Sequence, residues 1–273
     1  MKLSILQAGY CTHPEHVVIR GGARKDIRFP AMFALLEHPG RGPMLFDTGY
    51  SEHFFSATRT FPYGLYARIT PVFLEDSWLA SSQLKARGIA AKDIETVFIS
   101  HFHADHIAAL HDFHRAQFVF FASAFEAVRG KKGFAALLKG FLPSLLPQNF
   151  AARVKPLNLS QRKALSLRYH PFKLGIDVLG DESLIAVELP GHAAGQMGLF
   201  VQTSEQLYFL VADACWLKRS YQENILPRRR AQLIFDDARA YRKTLATINQ
   251  YYLMHPEVQI IPSHCQETLN HFL

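Results

Sequence analysis

Apolar runs in this chain repeatedly stop at a histidine or an aspartate, and that recurrence constrains the fold more than any other feature. Met44–Phe46 is followed by Asp47-Thr48-Gly49, and Val97-Phe98-Ile99 by Ser100-His101-Phe102-His103-Ala104-Asp105-His106. Leu184–Leu189 leads into Pro190-Gly191-His192, Leu207–Ala212 into Asp213, and Val258–Ile261 into Pro262-Ser263-His264. Short apolar runs of this kind read as buried strands. A single polar residue after a strand is usually a turn or cap. A series of them implies strands that run the same way and gather their ends at one edge, where layered α/β folds place their sites.

The remaining strands read as Leu3–Gln7, Val17–Arg20, Phe29–Leu36, Thr96–Ile99, Gln117–Phe121 and Leu199–Gln202. One helix is expected from an Asp76 or Ser77 cap to just before Gly88. Another runs from near Asp236 to just before Pro256, with Tyr241, Leu245, Ile248 and Tyr252 as its apolar stripe. The expectation is a single domain over residues 1–273, with 126–170 as a helical insertion lidding the site. A membrane contact and plain packing on the core are the other readings of that insertion. Pro143 and Pro147 prevent one long amphipathic helix there and favour packing.

The segment from His101 to His106 carries four metal-ligand side chains within six residues. Neutral imidazole and carboxylate are the groups that bind Zn²⁺ and similar cations. Alternate residues of an extended segment face one side, so His101 and His103 can share an ion, while Asp105 and His106 reach a neighbouring position. The chain is long enough for a substantial core, and its 49% hydrophobic and 19% charged residues exclude intrinsic disorder. No apolar run is long enough to span a membrane, and no secretory signal is evident at the start. Cys11, Cys215 and Cys265 have no paired spacing, so a disulfide framework is not expected and a reduced, cytoplasmic setting is. The net charge of +7 and Arg228-Arg229-Arg230 raise the question of nucleic acid, but a solvated basic face is the commoner cause, so no nucleic-acid partner is expected.

The set His101-x-His103-x-Asp105-His106, His192, Asp213 and His264 resembles that of the metallo-β-lactamase-fold hydrolases. The resemblance extends over nearly the whole chain, from Leu45 to His264. It implies an α/β four-layer αβ/βα sandwich with a two-metal site at one edge. By position it assigns His101, His103 and His192 to the first metal, Asp105, His106 and His264 to the second, and Asp213 to both. Asp47 falls where the family orients the ligand loop rather than binding metal. The cofactors implied are two divalent ions, zinc foremost, with manganese or iron as alternatives. Hydrolysis by a metal-bridging hydroxide is then expected, with Asp105 delivering a proton to the leaving group.

Within that family, His103 replaces the glutamate usual in the flavodiiron branch, and intact Asp105, His106 and His264 disfavour single-metal persulfide dioxygenases. Asp213 stands where zinc β-lactamases place cysteine, and the nine residues after His264 weigh against a glyoxalase II, which typically adds a C-terminal helical domain. The spacing from His192 to Asp213 and the Asp47-Thr48-Gly49 segment resemble the N-acyl-homoserine lactonases. Those enzymes often carry tyrosine three residues past the bridging aspartate, where this chain has Trp216; Tyr221 is the alternative donor, with a core position as its competing reading. The expected substrate is a small ester, lactone or thioester with an apolar acyl portion, for which Phe54, Phe55, Phe61, Tyr63, Tyr66 and Phe73 are candidate pocket residues as well as candidate core. A phosphodiesterase or nuclease of the same fold, and a non-catalytic metal-containing sensor or effector, are the alternatives. A homodimer is possible on this reading.

Overall fold

The apolar runs lack polar alternation because both faces of their strands are covered. In the computed structural model, which describes residues 1–272, Met32, Ala34 and Leu36 face a second sheet. Phe33 and Leu35, the residues between them, face helices on the other side. Phe118 and Phe120 alternate with Val119 and Phe121 in the same way. In the second sheet, Leu184 and Ala186 point to the middle of the molecule, and Ile185 and Val187 to an outer helix. A strand covered on two faces reads as continuously hydrophobic.

The thirteen strands are β1 (Lys2–Pro14), β2 (Asp26–His38), β3 (Gly42–Phe46), β4 (Val72–Phe73), β5 (Thr96–Phe98), β6 (Gln117–Phe121), β7 (Val154–Leu157), β8 (Lys163–Ala164), β9 (Leu174–Asp177), β10 (Leu184–Glu188), β11 (Met197–Gln202), β12 (Leu207–Ala212) and β13 (Gln259–Pro262). They form a seven-stranded sheet, ordered β4-β1-β2-β3-β5-β6-β7, and a six-stranded sheet, ordered β13-β12-β11-β10-β9-β8. β3, β5, β6 and β7 pair in parallel, as do β12 and β13. β10 and β12 are both antiparallel to β11, so they too point the same way. With helices outside each sheet, the architecture is the expected mixed α/β sandwich of two sheets. The strand ends meet from two sheets rather than along one.

Among the outer helices, Ala238–Met254 is the longest. Asp237 caps it, its Oδ1 accepting from the backbone N–H of Arg239 (2.7 Å) and Ala240 (3.0 Å). Tyr241, Leu245, Ile248 and Tyr251 form its buried stripe against the stacked rings of Phe200 and Phe209. Tyr251, one residue before the expected Tyr252, supplies the last position. The expected helix before Gly88 occurs as a 3₁₀ turn, Asp76–Trp78, followed by Ala80–Ala86.

Two local expectations are corrected. Val17–Arg20 is not a strand: Glu15–Val18 forms a helical turn, stabilised by the Ile19 N–H bonding to the Glu15 carbonyl. β7 was not evident in the sequence, because Lys155 and Pro156 break the apolar run of an edge strand. Residues 133–137 form a short helix, and Ala136, Phe141, Leu142, Leu145 and Phe150 enter the core outside the larger sheet. Among the described residues, no helix is long and apolar enough to cross a membrane. All three cysteines are buried and free.

Candidate metal centre

The loop after β5 carries His101 and His103, and the turn Ala104–Ile107 carries Asp105 and His106. The loop after β10 supplies His192, β12 ends directly at Asp213, and β13 is followed by Ser263 and His264. Backbone bonds lock these ends together across the sheets. The Met197 N–H donates to the Ser100 carbonyl (2.8 Å), and the Met32 N–H to the Ser263 carbonyl (3.1 Å). The chain leaves β3 and β12 through left-handed conformations at Asp47 (φ 60) and Ala212 (φ 46), which non-glycine residues rarely adopt. Gly191, just before His192, has φ 135, and a side chain there would collide with the Tyr241 backbone. That close approach sets His192 against the capped end of the long helix.

All seven predicted ligand side chains converge. Three overlapping groups have ligand atoms within 4.8 Å of one another: His101, His103 and His192; His101, His106 and Asp213; and Asp105, His106 and His264. Asp213 joins the two ends of the cluster. Its Oδ2 lies 3.2 Å from His192 Nε2, and its Oδ1 lies 3.1 Å from His264 Nε2 and 3.2 Å from His106 Nε2. His264 Nε2 is also 3.4 Å from Asp105 Oδ2.

The outward-facing ring nitrogens are held by protein. His106 Nδ1 donates to Asp47 Oδ2 (2.7 Å), Ser100 Oγ lies 3.0 Å from His101 Nδ1, and His264 Nδ1 donates to the Pro30 carbonyl (2.8 Å). Such bonds select the tautomer that turns the other nitrogen's lone pair toward an ion. Asp47, expected to orient the loop, also accepts from Ser100 N (2.8 Å) and Ser100 Oγ (2.7 Å). Phe29 stacks on His264 with ring centroids 4.9 Å apart. Ser100 and Phe29 were not singled out in the sequence; Ser100 could have been found from its place inside the motif, Phe29 only from the fold.

Inside the cluster, Nε2 of His101, Nε2 of His106 and Oδ1 of Asp213 are buried without a hydrogen-bond partner. Each such atom costs about 1–3 kcal/mol, so three in one place is a heavy penalty unless a cation takes their lone pairs. The nitrogen and oxygen donor set matches zinc and its first-row neighbours. The residues present therefore fit the metals that the resemblance implies.

Electrostatics supports this fit. Burial, reinforced by neighbouring imidazoles, holds His101 and His192 well below the ordinary histidine value, and burial lowers His103 to about 4. These rings are neutral at pH 7 and keep their lone pairs. Burial opposes charge on His106 and His264 too, but Asp105, Asp47 and Asp213 outweigh it at His106, and Asp213 and Asp105 at His264, so both are raised. Burial also opposes ionisation of Asp213, yet His264, His192 and His106 together hold its carboxyl well below the usual range. Metal binding would compete with protonation of His106 and His264.

The cluster floors a cavity of about 260 Å³. Its walls include Phe29, Tyr66, Ile69, Trp216, Arg230 and Ile234. Trp216 Nε1 donates to Asp213 Oδ2 (2.9 Å), which commits its only polar hydrogen to the cluster. Tyr221, the alternative substrate contact, does not line this cavity. It is 4% exposed, packed in the core beside the long helix, and its hydroxyl points to the Ile260 carbonyl. Of the aromatic pocket candidates, Tyr66 lines the cavity, Phe54 is core, and Phe55, Phe61 and Phe73 are exposed.

Gly140 sits against the back of His103. It has φ 60, its carbonyl accepts from the Ala104 N–H (3.1 Å), and an added Cβ would lie 2.6 Å from His103 Cδ2. Gly140→Ala is expected to destabilise the protein by about 1–3 kcal/mol and to weaken metal affinity by displacing His103. Urea unfolding and competitive metal titration check this; unchanged metal affinity would mean His103 needs no such backing.

Comparisons with known proteins agree with this geometry. Residues 28–120 match the model of the metallo-β-lactamase superfamily. The chain is 28% identical over 251 residues to the N-acyl homoserine lactonase AttM of Rhizobium radiobacter, covering 89% of this chain and 87% of that one. The fold matches an N-acyl homoserine lactone hydrolase solved with N-hexanoyl-L-homoserine at its catalytic metal center (TM-score 0.73, 17% identity, 99% and 95% of the two chains). It also matches AidC, a dizinc quorum-quenching lactonase (TM-score 0.64, 16% identity, 97% and 87% of the two chains).

Residues 28–120 thus match the metallo-β-lactamase superfamily, and the fold as a whole is similar to that of solved N-acyl homoserine lactone hydrolases. The protein is a metal-dependent hydrolase of the lactonase-like kind.

Proposed function

We propose that the protein hydrolyses lactones of the acyl-homoserine type, or closely related esters and thioesters, with two divalent cations, zinc foremost. The observation that carries this reading is the buried convergence of five histidines and two aspartates with unpartnered atoms turned inward. His101, His103 and His192 would hold one ion and Asp105, His106 and His264 the other, with Asp213 in contact with both groups of ligands. Cations so held act as Lewis acids on a carbonyl and generate a nucleophile from water near neutral pH.

The protein's own groups do the rest. Val17, Val18, Ile69 and Ile234 give the cavity an apolar wall for an acyl chain, while its floor is polar. Asp105, 12% exposed at that floor, is placed to pass a proton to the leaving oxygen. Trp216 holds Asp213 rather than the substrate, which separates this chain's arrangement from one with tyrosine at that position. The whole chain acts as one domain, and within 126–170 it is the short stretch at Gly140 that reaches the site, backing His103 beside the Lys139–Asp236 ion pair.

Metal analysis of the purified protein is expected to give about two equivalents, and a panel of lactones, thioesters, aryl esters and phosphodiesters to show fastest turnover of acyl lactones. One equivalent or none defeats the two-ion arrangement. Turnover confined to phosphodiesters makes the protein a phosphodiesterase, and a fully loaded but inert protein is a sensor or effector.

A further inference from the structure

Ile69, Ile234 and Arg230 line the cavity, and the segments around them carry large exposed apolar side chains that lie far apart in sequence. Leu233 is 84% exposed, Phe61 76%, and Ile69 and Leu138 75% each. Direct contacts link the segments that carry these side chains. The rings of Phe61 and Phe134 are 5.5 Å apart, and the Gly133 N–H donates to the Tyr63 hydroxyl (2.8 Å). Lys139, next to Leu138, pairs with Asp236, and Ile69 and Ile234 both line the cavity. Large side chains left in water at one place mark an interaction site far more often than chance exposure does.

Beside this rim, His16, Arg20, Arg228, Arg229 and Arg230 line a cleft of about 640 Å³, which shares Val17 and Arg230 with the catalytic cavity. Two backbone bonds gather these arginines from distant segments: Arg20 N to the Leu226 carbonyl (3.1 Å) and Arg228 N to the Val17 carbonyl (3.0 Å). The Lys and Arg ion pairs among the described residues involve Lys139, Arg162, Lys218 and Arg219, and none of the four cleft arginines. Their guanidinium groups are therefore spent on no carboxylate among the described residues, and an external anion could take them.

We propose that this rim docks on the surface of an anionic phospholipid bilayer, the apolar side chains entering the headgroup boundary and the arginine cleft taking lipid phosphates. Apolar residues flanked by arginine are the composition of an interfacial contact. Charge complementarity selects lipid over a second copy of this chain, because a twofold contact at this rim would set arginines against arginines. It also selects lipid over nucleic acid, which would leave Leu138 and Leu233 in water. Docking would place the cavity mouth where amphiphilic molecules with apolar tails concentrate. The surface does not depend on which bond the enzyme hydrolyses.

Flotation of the metal-loaded full chain with phosphatidylcholine vesicles, and with vesicles containing about a third phosphatidylglycerol, tests this. Partitioning is expected to be at least about tenfold stronger into the anionic vesicles and to weaken with salt. The pairs Leu138→Ser/Leu233→Ser and Arg228→Glu/Arg229→Glu should each reduce it by about tenfold or more, with thermal unfolding unchanged because all four side chains are exposed. Equal partitioning into both vesicles, or undiminished binding by either pair, overturns the proposal. So does tighter binding to a single-stranded oligonucleotide than to vesicles. A dimer that Leu138→Ser/Leu233→Ser dissociates would assign the rim to a second copy instead.

Discussion

Asp213→Ala is expected to empty the centre of metal and lower turnover by about 10³-fold or more, the scale of removing several kcal/mol of charge stabilisation. Among the described residues, no other carboxylate touches both ends of the cluster. Asp213 meets His192 on one side and His106 and His264 on the other, at 3.1–3.2 Å. Its removal leaves the facing imidazoles without their shared anion, and it also frees the Trp216 N–H. Elemental analysis and kcat/KM for the panel's best substrate check the expectation. Because a buried aspartate also contributes to folding, Asp213→Asn provides the control: it keeps the volume and loses the charge, and should fold yet bind metal poorly. Full metal content in a folded Asp213→Asn would refute a role for its charge in joining the two ions.

Asp47→Ala is expected to be the most destabilising single change near the site, by about 3–5 kcal/mol, since it strands buried polar partners. Asp47 is fully buried and receives hydrogen bonds from Ser100 N, Ser100 Oγ and His106 Nδ1, all at 2.7–2.8 Å. It fixes the loop that carries His101 and the tautomer of His106 together. Asp47→Asn keeps one acceptor but turns an N–H₂ toward groups that themselves donate. Metal affinity should then fall by about 10–100-fold, the usual effect of losing a partner behind a ligand. Denaturant unfolding and metal competition separate the two effects. Unchanged affinity in a folded Asp47→Asn would mean that His106 is oriented by its backbone alone.

Much of the candidate metal centre was legible in the sequence because each candidate ligand follows a strand, and strand ends are marked by a sharp change from apolar to polar. Cα pairing was not needed to suspect His192, Asp213 or His264. Tyr221 misled for the opposite reason: eight residues after Asp213, on the turn Lys218–Gln222, its direction depends on packing against Asn249 and the long helix. The helical turn at Glu15–Val18 was hidden because Val17, Val18 and Ile19 favour strand locally, and tertiary contacts override that preference.

Sequence by itself put five histidines and two aspartates at strand ends, a nitrogen and oxygen donor set suited to borderline cations, and made strands apolar on both faces, which require a layered fold. Tertiary structure alone decided that the ends come from two sheets and that Trp216 is spent on Asp213. It also decided that exposed apolar side chains and arginines from distant segments share one rim. The division has a physical cause. Burial and ligand type are written in each residue and its immediate neighbours, whereas a surface is defined by which loops meet, and that is set by long-range packing.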